Sequence, residues 1–444
     1  MAYSLKRFTL MSFRTKFALI IFSSFLALYA VIGGLLSTRA QQPTNDPGAQ
    51  LRIFENVLQH IQNDYVDEPN MEKVRAGALR GLAYGLDPYS TYLTADQVRD
   101  YRNNESKDNL VGIGAELSQV SSYLYVIAPV KGSPAEEAGV RAGDIIEYID
   151  SKATRDISLY DAKQLLNGQT GTEVKLRILR ANARPLTITV RRGSFKAPAS
   201  ESHMEAGKIG VLRINSLADG EAADAKARLQ DLLKQGAQKI VIDLRSVAGG
   251  SLTEAVEVAN YFIKDGTLAE TVGRESKVLK TFAADPKKTI FTGPVVALID
   301  TGTAGAAEVI ASAMIERKRA DVVGEKSFGA GAEQQLFTLR DGDGLLLTTI
   351  KWASASGKPF LGEDRAKSGV EPTVAVERPE VLAPIDPEDL TGNDDDSVAK
   401  PNQPNDKREV TPEAKPQQQP EDTQMKKALE LLRDKPAATT QKAA

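Results

Sequence analysis

The chain of 444 residues carries a net charge of -3, with 41% apolar and 26% charged residues, which suits two or more globular domains with extensions. A charge balance so near neutral gives no electrostatic footprint for nucleic acid. With no cysteine and only His60 and His203, disulfides, thiolate nucleophiles and histidine-rich metal cages are excluded, and no cofactor is expected.

Lys6, Arg7, Arg14 and Lys16 precede an apolar run over residues 17–36, the signature of export or of an anchor whose N-terminus stays in the cytoplasm. As a helix this run would reach roughly 30 Å, enough to cross a bilayer. Thr38-Arg39-Ala40 offers small residues for signal cleavage, so a cleaved signal peptide and a retained membrane anchor both stay open for residues 1–40. Either way the remainder is expected to be extracytoplasmic, in a periplasm or cell envelope. Residues 43–48 read as a polar linker. Leu51, Phe54, Val57, Leu58, Ile61 and Tyr65 then fall at helical spacing, as do Met71, Val74, Ala78, Leu79 and Leu82, which predicts a helical region over 41–105. The second helix is expected to stop at Gly85-Leu86-Asp87-Pro88, since a residue before proline disfavours the helical conformation.

Over residues 106–192, short β-rich runs (124–128, 145–149, 174–179 and 186–190) alternate with glycine turns. From 193 to 377, strands at 209–214, 239–244 and 295–299 alternate with helices at 222–234, 253–262 and 306–316, the pattern of an α/β core. The tail, 378–444, is rich in Pro, Asp, Asn, Gln and Lys and is expected to be disordered. Its exception is a short helix over 424–433, where Met425, Ala428, Leu429, Leu431 and Leu432 share one side and would dock on their own domain or on a partner.

Several segments, in order, resemble the carboxyl-terminal processing (tail-specific) serine peptidases. Gly85-Leu86-Asp87-Pro88-Tyr89-Ser90-Thr91-Tyr92-Leu93 is similar to their lead into the peptide-binding domain. Gly112-Ile113-Gly114-Ala115, Gly132-Ser133-Pro134-Ala135 and the 138–146 segment resemble their PDZ domain. Ile242-Asp243-Leu244-Arg245 with Gly249-Gly250, the 324–329 segment and Ser368-Gly369-Val370-Glu371-Pro372 resemble their protease core. The resemblance covers about residues 50 to 377. It implies a multidomain α/β (α+β) protein: an N-terminal helical segment, a β-rich PDZ-like domain and an α/β protease core of the ClpP/crotonase type.

What it implies chemically is a peptide-binding loop at Gly112, Ile113, Gly114 and Ala115, whose backbone amides receive a terminal carboxylate while the peptide adds a strand. Gly249 and Ala306 are the candidate amide donors to an oxyanion. Each glycine pair, taken alone, serves a tight turn equally well.

In the family a serine nucleophile lies three positions before a glutamate and a lysine base follows Phe-Gly. Here registering on Glu308 puts Gly305 at the serine position. Registering on Phe328-Gly329 puts Ala330 at the lysine position, while Gln334 retains the residue that positions the lysine. A serine needs a base, and a lysine serves as one only where its surroundings keep it neutral. Losing either member costs on the order of a millionfold in rate. Thr303, Ser327, Lys326 and His203 are the available substitutes, and none falls where the pair would stand. Three functions follow: a non-catalytic binder of C-terminal or unfolded peptide segments that regulates an active relative; a serine-type endopeptidase with relocated residues; or a structural protein forming homo-oligomers in the envelope.

Overall fold

The computed structural model describes residues 17–18, 21–29, 47–104, 111–181, 183–378 and 421–435. Much of the apolar run at 17–36, the Thr38-Arg39-Ala40 segment and tail residues 379–420 lie outside that set. Residues 21–29 are helical, but no helix among the described residues is long and apolar enough to cross a membrane. The chain forms two compact units, Met1–Arg75 and Ala76–Ala444. In the first, the predicted helix runs Pro47–Asp64. It begins inside the expected linker, because proline is pre-organised for a first helical turn. Leu51, Ile53 and Val57 are exposed on it.

The helix Met71–Tyr84 ends where expected, with Gly85 N donating to Gly81 O. Asp87 then caps the next turn by accepting from the amides of Tyr89 and Ser90.

The PDZ-like region is an antiparallel sheet in the order Ala115–Val120, Tyr123–Pro129, Ile145–Ile149, Glu173–Leu179 and Leu186–Arg191, so Ala115–Val120 is an edge strand. Glu173–Leu179 buries alternate residues Val174, Leu176 and Ile178, which pack with Leu124, Val126 and Ile146 against the helix Leu159–Leu166. Buried Asp144 is gripped by the Arg180 guanidinium at 2.7 and 2.8 Å.

The core is a six-stranded sheet in the order Glu201–Glu205, Ile209–Arg213, Lys239–Asp243, Val295–Ile299, Asp321–Gly324 and Val374–Ala375. All but the first strand are parallel. Its central strands are buried on both faces, which explains their continuous apolar sequence. Helices Glu221–Lys234, Leu252–Asn260 and Ala306–Glu316 cover one face.

The tail helix Thr423–Asp434 covers the other face, setting Ala428 and Leu432 against Val211, Val241, Val296 and Leu298. The island therefore docks on its own domain. A second sheet joins Thr91–Leu93, Gly344–Ser354, Thr267–Val272 and Val278–Ala283, with Ala332–Thr338 paired to Gly344–Ser354. The sequence reading missed it. Runs such as Val278–Ala283 and Ala332–Thr338 stay largely exposed and mix polar with apolar residues, so they carry little apolar signal.

Candidate functional site

Strand Val295–Ile299 enters a turn at Asp300 and leaves it as the helix Ala306–Glu316. Asp300 is fully buried and ties the turn together, accepting from Ser246 N at 2.8 Å and Gly302 N at 3.0 Å and pairing with Arg378 at 3.0 Å. Thr303 Oγ1 accepts from Asp300 N and lies 3.0 Å from Leu244 O, so this hydroxyl is built into the turn.

Gly305 ends the turn at φ 59° and ψ -113°. Non-glycine residues reach this region only under strain, and such strand-to-helix turns are where hydrolases present nucleophiles. A Cβ on Gly305 would stand 3.5 Å from Gly249 O and 3.7 Å from Gly249 N, in ordinary contact. The Ala306 amide donates to Gly249 O at 3.3 Å, so of the two amides expected to face an oxyanion, this one already has an acceptor.

The link between the two segments is Glu308. Its Oε2 accepts from Gly305 N at 2.8 Å and Ala330 N at 2.9 Å, and its Oε1 accepts from Gly329 N and Ser327 Oγ. One carboxylate oxygen thus holds together the backbones of the two residues registered separately on the sequence. Ser327 Oγ also accepts from Val370 N at 2.8 Å and is fully buried.

Gln334 reaches Thr348 Oγ1 at 3.2 Å, and Thr348 Oγ1 in turn donates to Asp87 Oδ1 at 3.1 Å. The Gly85–Ser90 segment therefore props this side of the site. Gly249, Gly305, Ala330 and Gln334 share a cavity of about 200 Å³, whose other walls include Tyr89, Glu116, Lys163 and Trp352. Glu116 and Lys163 come from the PDZ-like strand and helix. Nothing in sequence marked them, because they meet Gly305 only through the packing of that domain on the core, where the Tyr125 and Phe328 rings stack at 5.4 Å.

Known proteins match this arrangement in both parts. A model of peptidase family S41 matches residues 208–376, and a PDZ domain model matches 125–180. The carboxy-terminal processing protease CtpA of Bacillus subtilis is 30% identical over 355 residues, which span 80% of this chain and 75% of that protein. The chain belongs to peptidase family S41. The carboxy-terminal-processing protease of Bartonella bacilliformis is 32% identical over 335 residues, covering 74% and 76% of the two chains. Among solved structures, the photosystem II D1 C-terminal processing protease superposes with a TM-score of 0.61 at 27% identity, over 74% of this chain and 88% of that one.

In this S41 member the Gly112–Ala115 loop edges a separate groove of about 430 Å³, walled also by Leu117, Lys163, Leu166 and Asn167. Ile113 O accepts from Ala135 N at 2.7 Å, and Gly114 O accepts from Ser133 Oγ at 2.7 Å and Val130 N at 2.9 Å. A trans peptide unit directs its N–H opposite to its C=O, so the amides of Gly114 and Ala115 point away from those partners. Gly114 has φ 74°, and a Cβ there would strike Ser133 and Phe195 at under 3 Å, so only glycine fits.

Burial pushes the Glu308 carboxyl up to about 7, against the four donors that favour its charged form. A folded-state value above the ordinary 4.5 means that this group's stabilisation is complete below about pH 4.5 and lost as pH rises through about 7. Melting of the parent and a Glu308→Gln variant between about pH 5 and 8 is therefore expected to show the parent's relative stability falling by on the order of 3 kcal/mol. A difference that stays flat across that window means the carboxyl is ionised throughout.

Proposed function

We propose that this S41 member is a peptide-binding protein without practical proteolytic activity, with its peptide module at 106–192 and a protease-like core at 193–377. The observation that carries the reading is the shared Glu308 oxygen: Gly305 and Ala330 are brought to the two ends of one bridge, and neither has a side chain that can attack or take a proton. No serine, threonine or cysteine lines the cavity among the described residues. Burial pushes the Tyr89 phenol up to about 12, which keeps it neutral and a poor nucleophile.

The nearby candidates are committed elsewhere. The Thr303 and Ser327 hydroxyls are buried in structural bonds. Lys326 Nζ is held by Ala366 O at 2.7 Å and Glu371 at 2.8 Å. Lys163 is exposed, whereas a lysine base needs desolvation. His203 lies half-exposed on the outer strand Glu201–Glu205, beside Glu205.

The ligand class is a C-terminal or unfolded peptide segment, received by the Gly114 and Ala115 amides and added to the free edge of Ala115–Val120. We place the protein outside the cytoplasm on the strength of the basic residues that precede the apolar run at 17–36. Calorimetric titration with matched peptides tests the binding. The free-carboxylate peptide is expected to bind at least tenfold more tightly than its C-terminal amide. Equal affinity of the two forms removes the peptide-carboxylate reading.

A further inference from the structure

We propose that Asn167-Gly168, at the wall of the Gly112–Ala115 groove, is a self-modifying site: its side-chain amide is lost as ammonia, and the carboxylate left behind weakens the hold on a peptide's C-terminal carboxylate. The modification stands on its own chemistry. Its consequence rests on the peptide-binding reading above and gives that groove a means of being switched off.

Asn-Gly occurs once in the chain. Asparagine is thermally labile, and a glycine after it leaves the main-chain nitrogen that attacks it unshielded by a Cβ. The fold fixes this glycine. A Cβ on Gly168 would come within 2.8 Å of Arg192 Cδ and 3.0 Å of its Nε. Asn167 closes the helix Leu159–Leu166 in extended backbone, at φ -77° and ψ 159°. Its side chain is exposed, and no hydrogen bond holds it among the described residues. The Gly168 nitrogen is tied only to Val111 O, at a long 3.3 Å. The Arg192 guanidinium stands beside that nitrogen, donating to Leu165 O, Leu166 O, Thr172 Oγ1 and Glu173 O. This cation favours the ionised amide nitrogen that makes the attack.

In the first step the Gly168 nitrogen gives up its proton and bonds Asn167 Cγ. The Cγ–Nδ2 bond breaks, and the proton leaves with that nitrogen as ammonia. The cyclic imide then takes up one solvent water. Opening at Cγ leaves an aspartate, whereas opening at the main-chain carbonyl leaves an isoaspartyl link that runs through Cγ. Either way a carboxylate replaces a carboxamide, for one water consumed and one ammonia released, and nothing is oxidised or reduced.

The new charge falls where it matters. Asn167 Oδ1 lies 2.6 Å from where a Cβ on Gly112 would stand, so the carboxylate abuts the loop whose Gly114 and Ala115 amides receive the peptide terminus. The groove already sets Lys163 and Lys196 against Glu116, Asp219 and Glu221, and one excess negative charge becomes two. Arg192 offsets little of it, its donors being engaged by four other oxygens. Like charges across a partly buried groove change affinity on the order of tenfold.

The test ages the purified chain in mildly alkaline buffer, folded and in denaturant, and follows the peptide that contains residues 166–168 by mass spectrometry. Asn167 is expected to convert in the folded chain at a rate comparable to that in denaturant, as aspartate and isoaspartate. An Asn167 that stays an amide in the folded chain, while the denatured chain converts, overturns the modification. Free and amidated peptides are then titrated. An Asn167→Asp chain is expected to bind the free-carboxylate peptide on the order of tenfold more weakly than the fresh parent, and the amidated peptide with little change. Ageing lowers the parent's affinity, whereas an aged Asn167→Gln chain keeps its own starting value. Conversion without loss of carboxylate-dependent binding overturns the switch and spares the peptide reading. A fresh parent that binds free and amidated peptides alike overturns the peptide reading, and the switch with it, whatever the mass shows.

Discussion

A Gly305→Ser, Ala330→Lys double variant is expected to hydrolyse unfolded polypeptide at least a thousandfold faster than the parent chain, while each single variant stays at the parent level. The geometry admits both side chains. A Cβ at Gly305 meets nothing closer than 3.5 Å, and the positive φ costs a serine about 1–3 kcal/mol, within what a folded domain tolerates. Ala330 borders the same cavity, and Gln334 remains anchored there. Nucleophile and base act as a unit, so restoring one alone recovers almost nothing and restoring both has on the order of a millionfold to regain. A double variant with unchanged melting but no turnover would falsify the register of Gly305 and Ala330. Cleavage by the pure parent, lost in a Thr303→Ala variant, overturns the non-catalytic reading itself.

The second large effect is expected from Arg245→Ala, which should destabilise the Ala76–Ala444 unit by about 3 kcal/mol, the low end for breaking a buried pair, because buried Asp243 loses its two-pronged partner and keeps only Arg213 at 2.7 Å. The Arg245 guanidinium reaches Asp243 Oδ1 at 2.9 Å and Oδ2 at 2.8 Å, and Asp422 Oδ1 at 2.9 Å. It thus joins the central strand to the start of the tail helix, where Asp422 also caps Met425 N. Burial raises the Asp243 carboxyl, but Arg245 and Arg213 outweigh it and hold the group below its ordinary 3.8. That stabilisation is present above about pH 3.8 and lost as the pH falls through the folded value, so the parent should show an acid-labile component that Arg245→Ala weakens.

The apolar part of the same joint is tested by Leu432→Ala. This side chain is fully buried, and its loss is expected to cost about 2–5 kcal/mol in denaturant unfolding. A cost under about 0.5 kcal/mol, as for a surface position, means the helix is not docked in solution.

Local pattern sufficed where elements are buried and regular. The strand Val295–Ile299 and the helix Ala306–Glu316 were readable to the residue, since one is a continuous apolar run and the other opens beyond a turn of small residues. That residues 305 and 330 are Gly and Ala is plain in the chain; that they stand at the nucleophile and base positions, as Glu308 and Phe328-Gly329 register them, is the proposal that the double variant tests.

Other features needed the assembled chain. Glu308 could be used to count positions, but that one of its oxygens bonds Gly305 and Ala330 together depends on strands far apart in sequence closing on each other. Glu116 and Lys163 belong to another domain and carry no motif, so only the docking of that domain brings them to the cavity. The tail helix showed its apolar face in sequence but not the surface it would cover. That was decided when the two-sided sheet left Val211, Val241, Val296 and Leu298 without a covering layer on one face. Sequence thus determines which groups the chain has and which local turns it can make, because those depend on neighbours within a few residues. Only the tertiary structure decides which groups meet, because contact between distant segments follows from the packing of whole layers.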